Sequence, residues 1–183
     1  HKVLKVDFDK LKKTNKDTVA WISFDEPSKI NYPIVQTTDN DKYLQYTFEG
    51  KKNAVGAIFM DAVNAEDFSD RNTFIYGHNM KNGSMFAGLH HFADSQFFEE
   101  NRYVYIYTEE KVMVYQIFAA YEFGNAHLLL SFDMDDAGSV GLFGFVQYIT
   151  KILYIMSVNR THISEAEVFE HIAVVEFVFH SRF

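Results

Sequence analysis

Leu4, Phe8 and Leu11 recur at i, i+4 and i+7, a spacing that predicts a short amphipathic helix at the start of the chain. Strand-like runs follow at Val19 to Phe24 and Ile30 to Gln36, separated by a Pro27-Ser28 turn. Asp39 is placed to cap a helix carrying Tyr43, Leu44 and Phe48. Ala54 to Asp61 and Asn72 to Tyr76 read as strands. Ser84 is placed to cap a helix with Phe86, Leu89 and Phe92 inward, and Phe97-Phe98 form a further helical turn. Tyr103 to Thr108 and Lys111 to Tyr121 alternate apolar and polar residues across Glu109-Glu110, the pattern of a hairpin. Leu142, Phe143, Val146, Ile149 and Leu153 are spaced for a helix, and Ile172 to Phe179 reads as an apolar strand. Many short strands with few helices predict a mainly β fold, a mixed or closed barrel decorated by helices.

Composition sharpens this picture. Aromatics make up 17% of the 183 residues, with 19 Phe and 11 Tyr, and such side chains suit a pleated, half-buried surface. The length fits one domain, residues 1–183, and two prolines argue against long linkers. The net charge is −8 with no basic face, which excludes nucleic acid as an expected partner. Lys2, Lys5, Lys10, Lys12, Lys13 and Lys16 read as a solvated helix face. The chain opens on His1 and contains no apolar run of bilayer-spanning length, so any membrane attachment is expected from an N-terminal anchor outside this sequence. The absence of Cys excludes disulfides and thiolate metal sites, and is compatible with a bacterial surface location.

Few residue clusters suggest chemistry on their own. His90 and Asp94 share a helical spacing beside His91, but two ligands do not complete a metal site, and they read as solvated. Asp61, Asp67 and Asp70 flank an acidic loop with calcium-like chemistry, read likewise as solvated. No metal or other cofactor is expected. His127, His162, His171 and His180 are scattered and receive no role. Ser164 and Ser181 are candidate hydroxyls, better explained as cap or surface residues. His78 sits just after a strand in a Gly-His-Asn turn. It reads either as a catalytic group held by a rigid strand or as a loop His bonded to its own turn.

The segment NTFIYGHNMKNGSMFAGL, Asn72 to Leu89, resembles the signature of class B sortases around their catalytic histidine. The resemblance extends upstream through DTVAWI (Asp17 to Ile22), INYPIVQ (Ile30 to Gln36), TDNDKYL (Thr38 to Leu44) and GAIFMD (Gly56 to Asp61). Downstream it takes in FFEENRYVYIYT (Phe97 to Thr108) and VYQIFAAY (Val114 to Tyr121). The resemblance implies an eight-stranded β-barrel with N-terminal and flanking helices. It also implies acyl transfer: a Cys thiolate attacks a Thr carbonyl in a sorting-signal peptide of a surface protein, and an amine of peptidoglycan or a pilin resolves the thioester. A His near its intrinsic pKa serves as acid and base, and an Arg stabilises the oxyanion. The implied location is the extracellular face of the cell membrane, and the implied catalytic histidine is His78.

The chain departs from the family near its end. The family shows a strand reading roughly Thr-Leu-Ser-Thr-Cys and, some eight residues on, an Arg. Aligned on EFVFHSRF, Glu176 to Phe183, the Cys position falls on Val168 and the Arg position on Glu176. Arg182 matches only a later basic residue. Ser164 and Glu167 form a capping-box pattern ahead of Val168 and Phe169, which predicts helix where the family has strand. Gly138, Gly141 and Gly144 interrupt the preceding helical stretch. Three readings stand: a sequence altered over its last third, by a frameshift or an engineered change; a natural pseudoenzyme that binds without turnover; or a shifted tail alignment with a different barrel closure.

Overall fold

The computed structural model describes residues 3–70, 72–123, 152–159 and 174–180. Eight strands run in chain order: β1 (Thr18–Phe24), β2 (Asn31–Val35), β3 (Ile58–Met60), β4 (Asn72–His78), β5 (Tyr103–Tyr107), β6 (Val112–Phe123), β7 (Ile152–Asn159) and β8 (Val174–His180). They close into a barrel in the order β1-β2-β3-β4-β8-β7-β6-β5. Two short helices, α1 (Phe8–Thr14) and α2 (Ser95–Glu100), and two 3₁₀ segments, Lys42–Leu44 and Phe86–Ala93, complete the described elements. The mainly β character with few helices follows the sequence reading.

Period-2 alternation explains the barrel wall. Thr18, Ala20 and Ile22 of β1 are buried while Val19 and Trp21 are half-exposed. Ala20, Ile22, Ile34, Ile58, Ile75, Ile106, Met113, Tyr115 and Ile117 meet in one core. On β4, Ile75 belongs to that core, and a Cβ at Gly77 would stand 2.4 Å from Ile58 and 2.6 Å from Phe86. Gly77 therefore lets Phe86 close against the barrel. Tyr76 and His78 have the opposite parity to Ile75 and Gly77, so they share the other face of the strand.

Several local expectations need correction. Asp39 accepts hydrogen bonds from the Asp41 and Lys42 amides, but the helix it opens is only the 3₁₀ turn Lys42–Leu44, and Phe48 lies outside it. Ser84 caps nothing: its hydroxyl donates to Asn82, and the 3₁₀ segment begins after Met85, whose φ is 57°. The run Ala54 to Asp61 contributes only Ile58–Met60 to the sheet, because the chain before it turns back on the Tyr43 carbonyl through Ala57. Leu153 belongs to β7, not to a helix, and pairs with Glu122. The rest of that expected helix, and the capping box at Ser164 and Glu167, lie outside the described residues.

Candidate active site

His78 ends β4 and is buried, 2% exposed. Three features hold it. Its Nε2 lies 3.2 Å from the Leu44 carbonyl, which can only accept, so Nε2 carries the proton. Gly56, with φ 62°, packs against the ring: a Cβ there would stand 3.0 Å from Cδ2 of His78 and 2.3 Å from the Tyr43 carbonyl. Finally, the turn after His78 is pinned by an Asn79–Met85 bridge and by the Met85 amide, which donates to the Tyr32 hydroxyl at 3.0 Å. His78 thus does not simply satisfy its own turn; its recorded carbonyl partner comes from a segment 34 residues upstream.

Tyr76, two residues before His78, donates to Asp61 Oδ2 at 2.6 Å, and its ring lies 5.1 Å from that of Phe59. Asp61 also accepts from the Val63 amide, and its own carbonyl takes the Gln36 amide at 2.7 Å. These bonds fix the acidic loop. Within it Asp70 accepts from Asn64 and Ala65, and Asp67 from the Ser69 amide, so the three carboxylates organise backbone turns. His90 meets Asn79 at 2.9 Å, His91 stacks on Phe97 at 5.3 Å, and Asp94 caps α2 through the Phe97 amide. Among the described residues no three His, Cys, Asp or Glu side chains are grouped to hold a metal ion.

The segment that reaches His78 is itself clamped. The buried Tyr43 donates its hydroxyl proton to Asp17 at 2.8 Å and accepts from Asn15 at 2.8 Å, while Lys42 reaches Asp17 at 2.6 Å. Burial pushes the Asp17 carboxyl up, but the bonds from Lys42 and Tyr43 outweigh it and hold it below the usual carboxylate range. Burial, reinforced by Asp17, raises the Tyr43 phenol.

β8 runs parallel to β4 along seven residue pairs. The register sets His180 level with His78 and Glu176 opposite Phe74. Glu176 is therefore about 13 Å along the strand from the level of His78, at roughly 3.3 Å per residue. Val168, Ser164, Ser181, Arg182, His127, His162 and His171 lie outside the described residues.

Two cavities adjoin this end of the barrel. The larger, about 640 Å³, sits at the β1–β2 turn beside Asp25, Glu26 and Ser28, and includes no residue of the His78 site. The smaller, about 440 Å³, is lined by Trp21, Tyr32, Phe48, Val55 and Met85, and shares Gly56 with the wall of His78. Of these two cavities, the smaller is the one that includes a residue packed against the histidine, Gly56. Sequence reasoning found His78 but not Tyr43, Leu44 or Gly56 as its supports. Their motifs carried the family resemblance without any chemical signal, since two of the three act through the backbone.

The family model described as the Sortase domain matches residues 26–137. Sortase B of Listeria monocytogenes is 48% identical over 87 residues, covering 48% of this chain and 35% of the relative. Sortase B of Staphylococcus aureus is 34% identical over 115 residues, covering 63% and 47%. The chain thus spans less than half the length of either curated relative. The X-ray structure of Clostridium perfringens sortase B superposes with a TM-score of 0.65 at 37% identity, over 72% of this chain and 70% of that one. With the site's histidine at the end of a barrel strand and the family model covering more than half of the sequence, the chain belongs to the sortase family, within its class B.

Proposed function

We propose that the chain forms one sortase catalytic domain of the transpeptidase type, working on the C-terminal sorting signal of surface proteins and an amine of peptidoglycan or a pilin. The observation that carries this reading is the held histidine. His78 is fixed at a strand end against Gly56, which also lines the smaller cavity, and an imidazole there can protonate a leaving amine and deprotonate an incoming one. The matched family supports the reaction type. The location that goes with it is the outer face of a bacterial membrane.

A second reading is favoured by one specific observation, the absence of any Cys among the 183 residues. Without a thiol the covalent step has no nucleophile, and losing one costs on the order of 10⁶ in rate in a comparable triad enzyme. The chain itself is then a sortase-like module that binds the signal without cutting it. Val168 and Glu176 stand at the aligned Cys and Arg positions, and neither residue type supplies the missing chemistry.

The experiment is a sorting-signal peptide incubated with a glycine-type amine and protein of verified intact mass. Binding with no product above background supports the second reading. Product formation at a robust rate overturns it, and loss of both binding and turnover sinks the sortase assignment of the site.

A further inference from the structure

The Leu44 carbonyl that meets His78 is not free to wander. Tyr43, the residue immediately before Leu44, is 2% exposed. Its hydroxyl is gripped by Asp17 at 2.8 Å and by the Asn15 amide at 2.8 Å. The same Asn15 amide also donates to the Phe48 carbonyl at 2.9 Å, so both ends of the 43–48 segment are tied to one short stretch before β1. The Tyr43 carbonyl accepts from Ala57 at 3.0 Å and abuts Gly56, which in turn abuts the His78 ring. The ring is thus bounded on one side by the Leu44 carbonyl and on another by Gly56, and Tyr43 adjoins both.

We infer that Tyr43 is a positioning residue for His78: its side chain, clamped by Asn15 and Asp17, fixes the backbone whose Leu44 carbonyl holds the proton on Nε2. A neutral imidazole has one protonated nitrogen, and the hydrogen bond made by one nitrogen selects the role of the other. A mobile Leu44 carbonyl would let the two tautomers mix and the ring rotate. The inference rests on the reading of His78 as the acid/base group, but the tautomer can be measured without turnover.

The test is long-range ¹H–¹⁵N NMR of histidine-labelled protein, with His78 assigned by the signal lost in His78→Gln, at a pH where the ring is neutral. The wild-type chain should show His78 protonated at Nε2. Tyr43→Phe removes only the hydroxyl and Asp17→Asn only the charge. Each should give mixed tautomers and about tenfold faster exchange of the Nε2 proton with water, the factor corresponding to one weakened hydrogen bond. Retained signal dispersion marks a variant as folded, and Asp17→Asn, half-buried and equal in size, serves if Tyr43→Phe does not fold. A wild-type ring protonated at Nδ1 overturns the inference. So does a wild-type pattern retained in a folded variant. Sorting-signal binding measured on the same samples separates the two claims: its absence with an intact Nε2–H tautomer defeats the functional reading and leaves the positioning role standing.

Discussion

Tyr76 donates its phenolic proton to Asp61 across 2.6 Å, and both residues are almost wholly removed from solvent. This bond ties β4, two residues ahead of His78, to the end of the strand beside it. A buried carboxylate that loses a donor is left undersolvated. Tyr76→Phe should therefore lower stability by about 1.5–3 kcal/mol, the range for hydrogen bonds to charged groups. Urea unfolding should show a lower midpoint with an unchanged slope.

Gly56 is the position where a single methyl group should do most damage. Its φ of 62° strains any L side chain, and the added Cβ would meet the Tyr43 carbonyl at 2.3 Å, a backbone atom that cannot swing aside. Gly56→Ala should destabilise by about 1–3 kcal/mol, on the scale of residues held in sparsely populated backbone regions. It should also displace the His78 ring, so weakened sorting-signal binding should accompany the fall in melting temperature. Gly83 has a similar φ of 79° but open space around its Cβ, and its Ala variant should lose stability while leaving His78 unmoved.

Asp17 predicts an acid-side response. Its folded pKa lies below the ordinary 3.8, because the Lys42 and Tyr43 bonds prevail over burial. The unfolded chain therefore takes up the proton first as pH falls. The stabilisation is fully present above about pH 4 and is lost as pH drops through the folded value. In Asp17→Asn that component of the acid limb should vanish, so wild type and variant should converge in melting temperature toward low pH. A gap that stays constant down to strong acid would refute the assignment.

Tyr105 gives the alkaline counterpart. Burial, with Asp25 beside the hydroxyl, raises its phenol to about 12. A raised folded pKa stabilises fully below the ordinary value of 10.0 and is lost as pH climbs through about 12. Spectrophotometric titration of wild type against Tyr105→Phe should assign to Tyr105 a late transition, well above that of an exposed tyrosine.

Much of the fold was legible because it follows two-residue alternation. Tyr103 to Tyr107 and the long β6 announced themselves in this way, and the Glu109-Glu110 break located the hairpin. Where the chain departs from regular periods the reading failed. The 42–44 and 86–93 segments are 3₁₀, a geometry that shares apolar spacing with an α-helix over so short a span. Leu153 satisfied a helical spacing with residues before it, while its neighbours through Asn159 pair with β6. That pairing is a long-range choice that no local pattern encodes. His78 was visible through its motif. Its dependence on a carbonyl and a glycine was not, because main-chain contacts leave no mark on residue identity.

The insertion of β8 between β4 and β7 also sets an order of assembly. Until that strand arrives, β4 and β7 each present a row of unpaired amides and carbonyls, open edges of the kind that recruit other chains. Parallel pairing of β4 with a partner from the far end of the sequence closes a long loop, a slow event compared with the β5–β6 hairpin. A nascent chain emerging amino end first would thus carry its histidine strand unpaired on that side until β8 has been made and docks. Conditions that delay that docking should favour self-association through β4, so the strand that carries His78 is also where the immature molecule is most vulnerable.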